Sequence, residues 1–261
     1  MKKFYFLSGL PRTGSTLLAS ILNQNPNIHV SGTSALLELL TTTGNGIATN
    51  RSTYEITEEQ EINIYYGIIN GQYQHIDKNI IFDKHRGWPS MIQALQKIKH
   101  NPKILCTIRT IPEIIVSYIK LIEKNPNFLN FIDDGIKKKR LGINTFNRAM
   151  TIWFECIHPS YSLLRDIIVK NRENFLIVQY DDIVVNPMMV LNDVHSFFNI
   201  ESYDGYDFNN IINTQPEKDE EGWKMIDLHK IRPELRKTSI SPEKVLGTEL
   251  VKYFNQFNLV V

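Results

Sequence analysis

The run Gly9-Leu10-Pro11-Arg12-Thr13-Gly14-Ser15-Thr16 holds the residue types of an anion cradle. Glycine lets a backbone turn tightly and approach a ligand closely. Ser15 and Thr16 add hydroxyl donors, and Arg12 adds a positive charge from inside the loop. A short apolar run, Phe4-Tyr5-Phe6-Leu7, precedes the loop, and an apolar helical pattern follows from Leu17. Strand, glycine loop and helix start converge backbone N–H groups and the positive end of the helix dipole on one point, which suits a phosphate. The spacing meets the nucleotide motif G-x-x-x-x-G-K-[ST] at each fixed position but one, because Ser15 stands where the lysine belongs. Arg12, Thr13, Gly14, Ser15, Thr16 and Leu17 are the binding candidates of this loop.

A second constellation begins at Cys106. A strand-like run ends at Arg109; Thr110 and Glu113 then have capping-box spacing, and Pro112 suits a first helical turn. Ser117 falls about two turns into that helix. An arginine at a strand end and a serine on the next helix can share one phosphate, the first through its charged fork and the second through its hydroxyl. A third cluster, Asp83-Lys84-His85-Arg86-Gly87-Trp88, follows another strand-like run. His85 is a residue type suited to general-base work; Asp83 is its neighbour in sequence, and Glu38 lies along the helix after the second strand-like run, so each is a candidate base. Trp88 suits packing under the next helix or a place beside a nucleobase.

These residues need a frame. Strand-like runs at Phe4–Leu7, Ile28–Ser31, Ile80–Phe82, Ile104–Ile108 and Phe175–Gln179 are short and mostly continuously apolar, as parallel strands covered on both faces are. Helical patterns at Ser15–Asn23, Ala35–Leu40, Thr57–Ile69, Pro89–Lys97, Pro112–Glu123, Asn144–Lys170 and Pro187–Phe198 alternate with them. The alternation predicts an α/β fold: a P-loop-like doubly wound sheet, mostly parallel, with helices on both faces and ligands beyond the carboxyl ends of the strands. Thr41–Thr53 reads as a mobile loop. Lys137-Lys138-Lys139-Arg140 reads as a solvated helix face. The polar tail Asn199–Pro242 has no clear period.

The 261 residues suffice for one large domain, 1–261, with a sizeable core. A net charge of +1 gives no global field toward nucleic acid or an anionic membrane, so an anion site must be local. Cys106 and Cys156 lie in apolar segments and read as buried, reduced thiols. The first apolar run is too short for a signal peptide and no stretch is long enough to span a membrane, so the cytoplasm is the expected compartment. No His, Cys or carboxylate cluster has metal-ligand spacing.

Together the constellations resemble the sulfotransferases that use 3′-phosphoadenosine 5′-phosphosulfate (PAPS). Their P-[KR]-[ST]-G-[ST]-[ST] loop, which binds the 5′-phosphosulfate, is matched by Pro11-Arg12-Thr13-Gly14-Ser15-Thr16. Their arginine and serine, eight residues apart on the 3′-phosphate, are matched by Arg109 and Ser117. A Y-[ED]-D-[LM]-x-x-x-P segment, whose tyrosine lies near the nucleotide, is similar to Tyr180-Asp181-Asp182-Ile183-Val184-Val185-Asn186-Pro187. The motif style is closest to the tyrosylprotein and bacterial branches. The resemblance implies PAPS as donor, 3′-phosphoadenosine 5′-phosphate (PAP) as product, in-line transfer without metal, and Arg12 and Lys84 as catalytic residues; His85, displaced by one from that family's histidine position, is the catalytic candidate beside them. Some branches take a base two residues beyond the lysine, where this chain has Arg86; others take a glutamate after the second strand, where it has Ser31-Gly32-Thr33-Ser34. The base stays open among His85, Asp83 and Glu38. One of Lys230, Arg236, Lys237 and Ser239 is expected to close over the nucleotide, as a basic C-terminal loop does in that family. Thr41–Thr53 and Asn125–Arg140 are expected to face the acceptor, whose identity, like the oligomeric state, has no signature here.

Two other readings compete. Ile80-Ile81-Phe82-Asp83 resembles a strand ending in the magnesium-holding aspartate of an ATP-dependent P-loop kinase. A non-catalytic PAP-binding module would keep the donor loop and lack a base.

Overall fold

The computed structural model describes residues 2–259, apart from 51, 53, 99–100, 128–129, 217 and 237–239. The chain runs β1 (Lys3–Gly9), α1 (Ser15–Leu22), β2 (Ile28–Thr33), α2 (Leu36–Thr49), α3 (Glu58–Gln72), β3 (Ile80–Lys84), α4 (Ile92–Ile98), β4 (Ile104–Ile108), α5 (Ile111–Lys124), α6 (Phe131–Lys138) and α7 (Thr145–Thr151). It continues with α8 (His158–Lys170), β5 (Phe175–Gln179), α9 (Tyr180–Val185), α10 (Pro187–Phe198), α11 (Asp219–Trp223), α12 (Pro242–Leu246) and α13 (Thr248–Asn255). The five strands form one sheet in the order β2-β3-β1-β4-β5, and each neighbouring pair is parallel. β1 is the middle strand, and the chain leaves it first toward β2 and β3 and later toward β4 and β5. This reversal is the switch point at which open α/β sheets bind ligands.

Alternation along the strands divides the core into two layers. Phe6, Ile81, Ile104, Cys106 and Ile108 face one side, packed with α3, α4, α5, α7, α8 and α13. Tyr5, Leu7, Phe82, Leu105 and Val178 face the other, packed with α1 and α10. All five strand-like runs are strands, and helices cover both faces as predicted. Burial pushes both thiols up to about 12, the pKa of inert Cys side chains. No helix among the described residues is long and apolar enough to cross a membrane.

Three local predictions are corrected. Thr41–Thr49 is the continuation of α2, not a loop; residue 53 lies outside the described residues. Packing against α3 outweighs the two glycines: a Cβ on Gly44 would lie 2.8 Å from the Tyr65 hydroxyl, so a larger residue there would displace it. Thr41 and Thr49 donate their hydroxyls back to Leu37 O (2.8 Å) and Asn45 O (2.7 Å). The helix expected over Asn144–Lys170 loosens into a π-helical turn at Ile152–Ile157. Pro159 has no N–H for the i−4 bond, and a wider turn just before it absorbs the defect. Thr110 does not close a capping box, because its hydroxyl donates to the Glu113 carboxylate at 2.7 Å.

Candidate active site

The loop after β1 is shaped by close approach. A Cβ on Gly9 (φ +146°) would sit 2.3 Å from Thr107 O on β4. Thr13 is fully buried; its hydroxyl donates to Leu10 O at 2.6 Å and shares a hydrogen bond with Thr107 Oγ1 at 2.7 Å. It therefore pins the loop to β4, and its side chain is not offered to a ligand as the sequence reading expected. Arg12 takes the left-handed conformation (φ +60°), a strained choice for a non-glycine residue. Gly14 precedes α1 at φ +83° with no side-chain cap, and the first intrahelical bond runs from Leu18 N to Gly14 O at 2.9 Å. The N–H groups before Leu18 are left for a ligand.

Gly14 is also held by a neighbour. A Cβ there would meet Tyr180 Cδ2 at 2.6 Å. Gly14→Ala combines backbone strain with this clash and is expected to cost about 1–3 kcal/mol, read as a melting point lower by roughly 2–10 °C.

Tyr180, the first residue of α9, covers the loop and stacks on the second arginine: the Arg109 guanidinium carbon lies 4.2 Å from its ring centroid. Arg109 Nε is 3.6 Å from Glu113 Oε2 and, although buried, has no hydrogen-bond partner. A buried donor without a partner is costly and marks a place for an acceptor. Ser117, on α5, accepts from Arg12 Nε at 3.1 Å. Arg12 Nη1 donates to the carbonyl of Leu228, from the tail. Burial lowers the Arg12 pKa, opposed by the field of Tyr118 and assisted by the charges of Arg109 and Arg86. Arginine nevertheless stays charged in proteins. Arg12 is thus a half-buried cation whose hydrogen-bond acceptors among the described residues, Ser117 and the Leu228 carbonyl, are neutral, with the charge of Asp219 acting on it without a hydrogen bond.

Lys84, at the end of β3, reaches the same loop: its Nζ donates to Thr16 Oγ1 at 3.1 Å. His85 Nε2 lies 3.0 Å from Glu38 Oε1, and His85 Nδ1 accepts from Gly87 N at 3.0 Å. A neutral imidazole has one lone pair, and here Gly87 uses it, so the ring's N–H faces the glutamate. Glu38 is the exposed member of the pair. Asp83 has turned into the core, where Ser34, Tyr73 and Trp88 all donate to its carboxylate. Burial nevertheless raises its pKa. It is a structural carboxylate, which removes both a base candidate and the magnesium ligand that a kinase reading requires. Trp88 is fully buried and packs beside Phe6.

A cleft of about 650 Å³ opens over these groups. Arg12, Gly14, Ser15, Thr16 and Leu17 line one wall, Arg109, Ser117 and Tyr180 another, and the segment Asp227–Arg236 a third. Of the tail residues expected to close over the nucleotide, Lys230 and Arg236 line this cleft; Lys237 and Ser239 lie outside the described residues. Sequence reasoning missed Arg86, Lys120 and Arg232, which line it too. Arg86 had a signal, since it stands two residues beyond Lys84. Lys84 and His85 do not line the cleft. Lys84 stands at its edge, where β3 ends, bonded to the cleft-lining Thr16.

A sequence profile of the sulfotransferase family matches residues 5–205. The chain belongs to the sulfotransferase family. The matched range holds Arg12, Lys84, Arg109, Ser117 and Tyr180, and the tail from Asp227 lies beyond it. No curated protein matches the sequence. Among solved structures, the sulfotransferase domain of the Synechococcus PCC 7002 olefin synthase is 17% identical, with a TM-score of 0.51 over 94% of this chain and 86% of that one. The sulfotransferase domain from the curacin biosynthetic pathway is 16% identical, with a TM-score of 0.48 over 100% and 92%. Mouse sulfotransferase SULT7A1, solved in complex with PAP, is 16% identical, with a TM-score of 0.45 over 78% and 61%. At these identities the first of the three establishes that this sulfotransferase shares its fold, a P-loop-like α/β sheet.

Proposed function

We propose that this sulfotransferase moves a sulfuryl group from PAPS to a hydroxyl or amine acceptor, by in-line transfer without metal. The observation that carries the reading is the pair of arginines in one cleft. Arg12 is a half-buried cation whose hydrogen-bond acceptors among the described residues are neutral, and Arg109 keeps a buried Nε that faces Glu113 at 3.6 Å but makes no hydrogen bond. Each calls for an anion, and PAPS has two separate anionic groups on one nucleotide. The glycine at position 14 fits the same reading, because a larger residue would fill the space beside Tyr180.

The backbone of Gly14 to Leu17, with Arg12, would hold the 5′-phosphosulfate; Arg109 and Ser117 would hold the 3′-phosphate. Arg12 bonds to Ser117 and so stands between the two positions. PAPS supplies a sulfuryl group already activated on a phosphate leaving group. Lys84, tied to Thr16, is set to neutralise charge that grows on the sulfuryl oxygens, the kind of preorganised electrostatic help that transfer reactions depend on. The sheet order supports a division of labour. Arg109 and Tyr180 belong to the β4–β5 side of β1, and Lys84, His85 and Glu38 to the β3–β2 side. The acceptor therefore approaches from the β3–β2 side.

On this reading Glu38 takes the acceptor proton, and His85 positions it through the 3.0 Å contact. Glu38→Gln is expected to lower kcat by about 10²–10⁴, with PAP affinity unchanged. Wild-type turnover from Glu38→Gln would move the base elsewhere.

Calorimetric titration with PAP, with AMP, and with ATP plus magnesium tests the donor assignment. Tight binding of PAP without magnesium, and much weaker binding of AMP, is the expected result. Magnesium-dependent ATP binding with no response to PAP would overturn it in favour of a kinase.

A further inference from the structure

The basic run Lys137-Lys138-Lys139-Arg140 has no place in the chemistry above, and none of its residues lines the cleft. It opens a continuous exposed stretch, residues 137–146, that also contains Leu141, Ile143 and Phe146. A charge run that is only solvated needs no large apolar neighbours. Here Leu141 is 48% exposed, Ile143 41% and Phe146 55%. Phe154, on the π-helical turn, is 53% exposed. Lys139 is bonded to Glu155 Oε1 at 2.5 Å, which ties the basic run to the segment that carries Phe154.

The stretch is built to stay outward. Arg140 ends α6 in the left-handed conformation (φ +58°), with Leu141 N donating to Ile136 O at 3.1 Å and Arg140 N to Lys137 O at 2.9 Å. These are the two bonds of a Schellman turn. Asn144 then caps α7 by accepting from Asn147 N at 2.8 Å, and Asn147 Nδ2 holds Gly142 O at 2.7 Å. A loop fixed at both ends cannot fold Leu141 and Ile143 back onto the core. Asp134 pairs with Lys138 and Glu155 with Lys139. Lys137 and Arg140 make no salt bridge among the described residues, so this corner is more basic than a chain of net charge +1 suggests.

We propose that this surface docks on an anionic phospholipid bilayer. Lys137 and Arg140 would lie over the headgroups, and Leu141, Ile143 and Phe146 would enter the interfacial layer. Basic charge beside exposed large apolar side chains is the composition of interfacial membrane contacts. An acidic macromolecule would match the charge but leave the apolar side chains in water.

The test uses the full chain sedimented with vesicles of phosphatidylcholine alone or mixed with phosphatidylserine. Binding is expected only to the mixed vesicles, and weaker at high salt. Lys137→Ala with Arg140→Ala is expected to lower the partition coefficient by about 25-fold. Leu141→Ser with Phe146→Ser is expected to lower it by roughly tenfold or more. All four positions are exposed, and unchanged melting points are expected to show that the variants fold. Absence of binding to mixed vesicles overturns the proposal. So does binding that the serine pair leaves intact, because it would be electrostatic adhesion alone. A concentration-dependent dimer abolished by the serine pair, without vesicle binding, would instead assign the surface to a second copy of this chain.

Discussion

Lys84→Ala is expected to cut turnover by about 10²–10³-fold while leaving PAP affinity within a few-fold of wild type. The separation follows from where the amine is. Lys84 Nζ bonds to Thr16, at the helix start, and the lysine does not line the nucleotide cleft. On the proposed reading its charge would act on the group being transferred more than on the nucleotide that remains. Loss of a preorganised donor of this type typically raises a barrier by roughly 2.7–4 kcal/mol. Single-turnover rates with PAPS, compared with PAP titrations of the same variant, separate chemistry from binding. Arg12→Ala should differ from it. Arg12 touches Ser117 and the Leu228 carbonyl, so its removal loosens both the loop and the tail. Turnover and PAP affinity are expected to fall together. A Lys84→Ala enzyme with normal turnover would remove the lysine from the mechanism.

The second large effect concerns recognition. Arg109→Ala is expected to weaken PAP binding by about 30-fold or more, the usual minimum when a buried charged hydrogen-bonding partner is lost. AMP binding should change little, so preference between the two nucleotides collapses. Arg109 lies against the Tyr180 ring at 4.2 Å and has a buried Nε without an acceptor. That geometry suits a planar fork. Lysine at the same position keeps the charge but loses the fork and the stacking, so Arg109→Lys is expected to recover only part of the preference. An Arg109→Ala variant that still prefers PAP over AMP would show that the 3′-phosphate is read elsewhere, with Lys230, Arg232 and Arg236 the next to examine.

Much of this site was legible in the sequence because its signals are local. Arg12 to Leu17 lie in one loop and its helix start, and Arg109 and Ser117 lie on one strand end and its helix; fixed spacing along the chain becomes fixed geometry. The strands were legible for a related reason, since a parallel strand buried on both faces is a plain apolar run. Contacts between distant segments left no such trace. The pairing of His85 with Glu38 depends on β2 and β3 lying side by side, and neither residue predicts the other. The bond from Arg12 to Leu228 uses a backbone carbonyl, which every residue has. Thr13 looked like a ligand donor because its type fits the motif, but Thr107, on an adjacent strand, takes its hydroxyl. Gly44 and Gly46 read as loop residues because their local propensity is unfavourable to helix, and only the Tyr65 ring explains the first.

The sheet order has a consequence for how the chain divides. Everything between the end of α1 and the start of β4 is one uninterrupted stretch of chain, and it builds the β2–β3 half of the sheet together with α2, α3 and α4. The residues that line the cleft are encoded outside that stretch, except Arg86. On the proposed reading this block, which also carries Lys84 and Arg86 ahead of α4, holds the acceptor side of the site, while most of the donor-holding residues lie in the rest of the chain. Chimeras cut at these two boundaries are the natural units in which to search for acceptors.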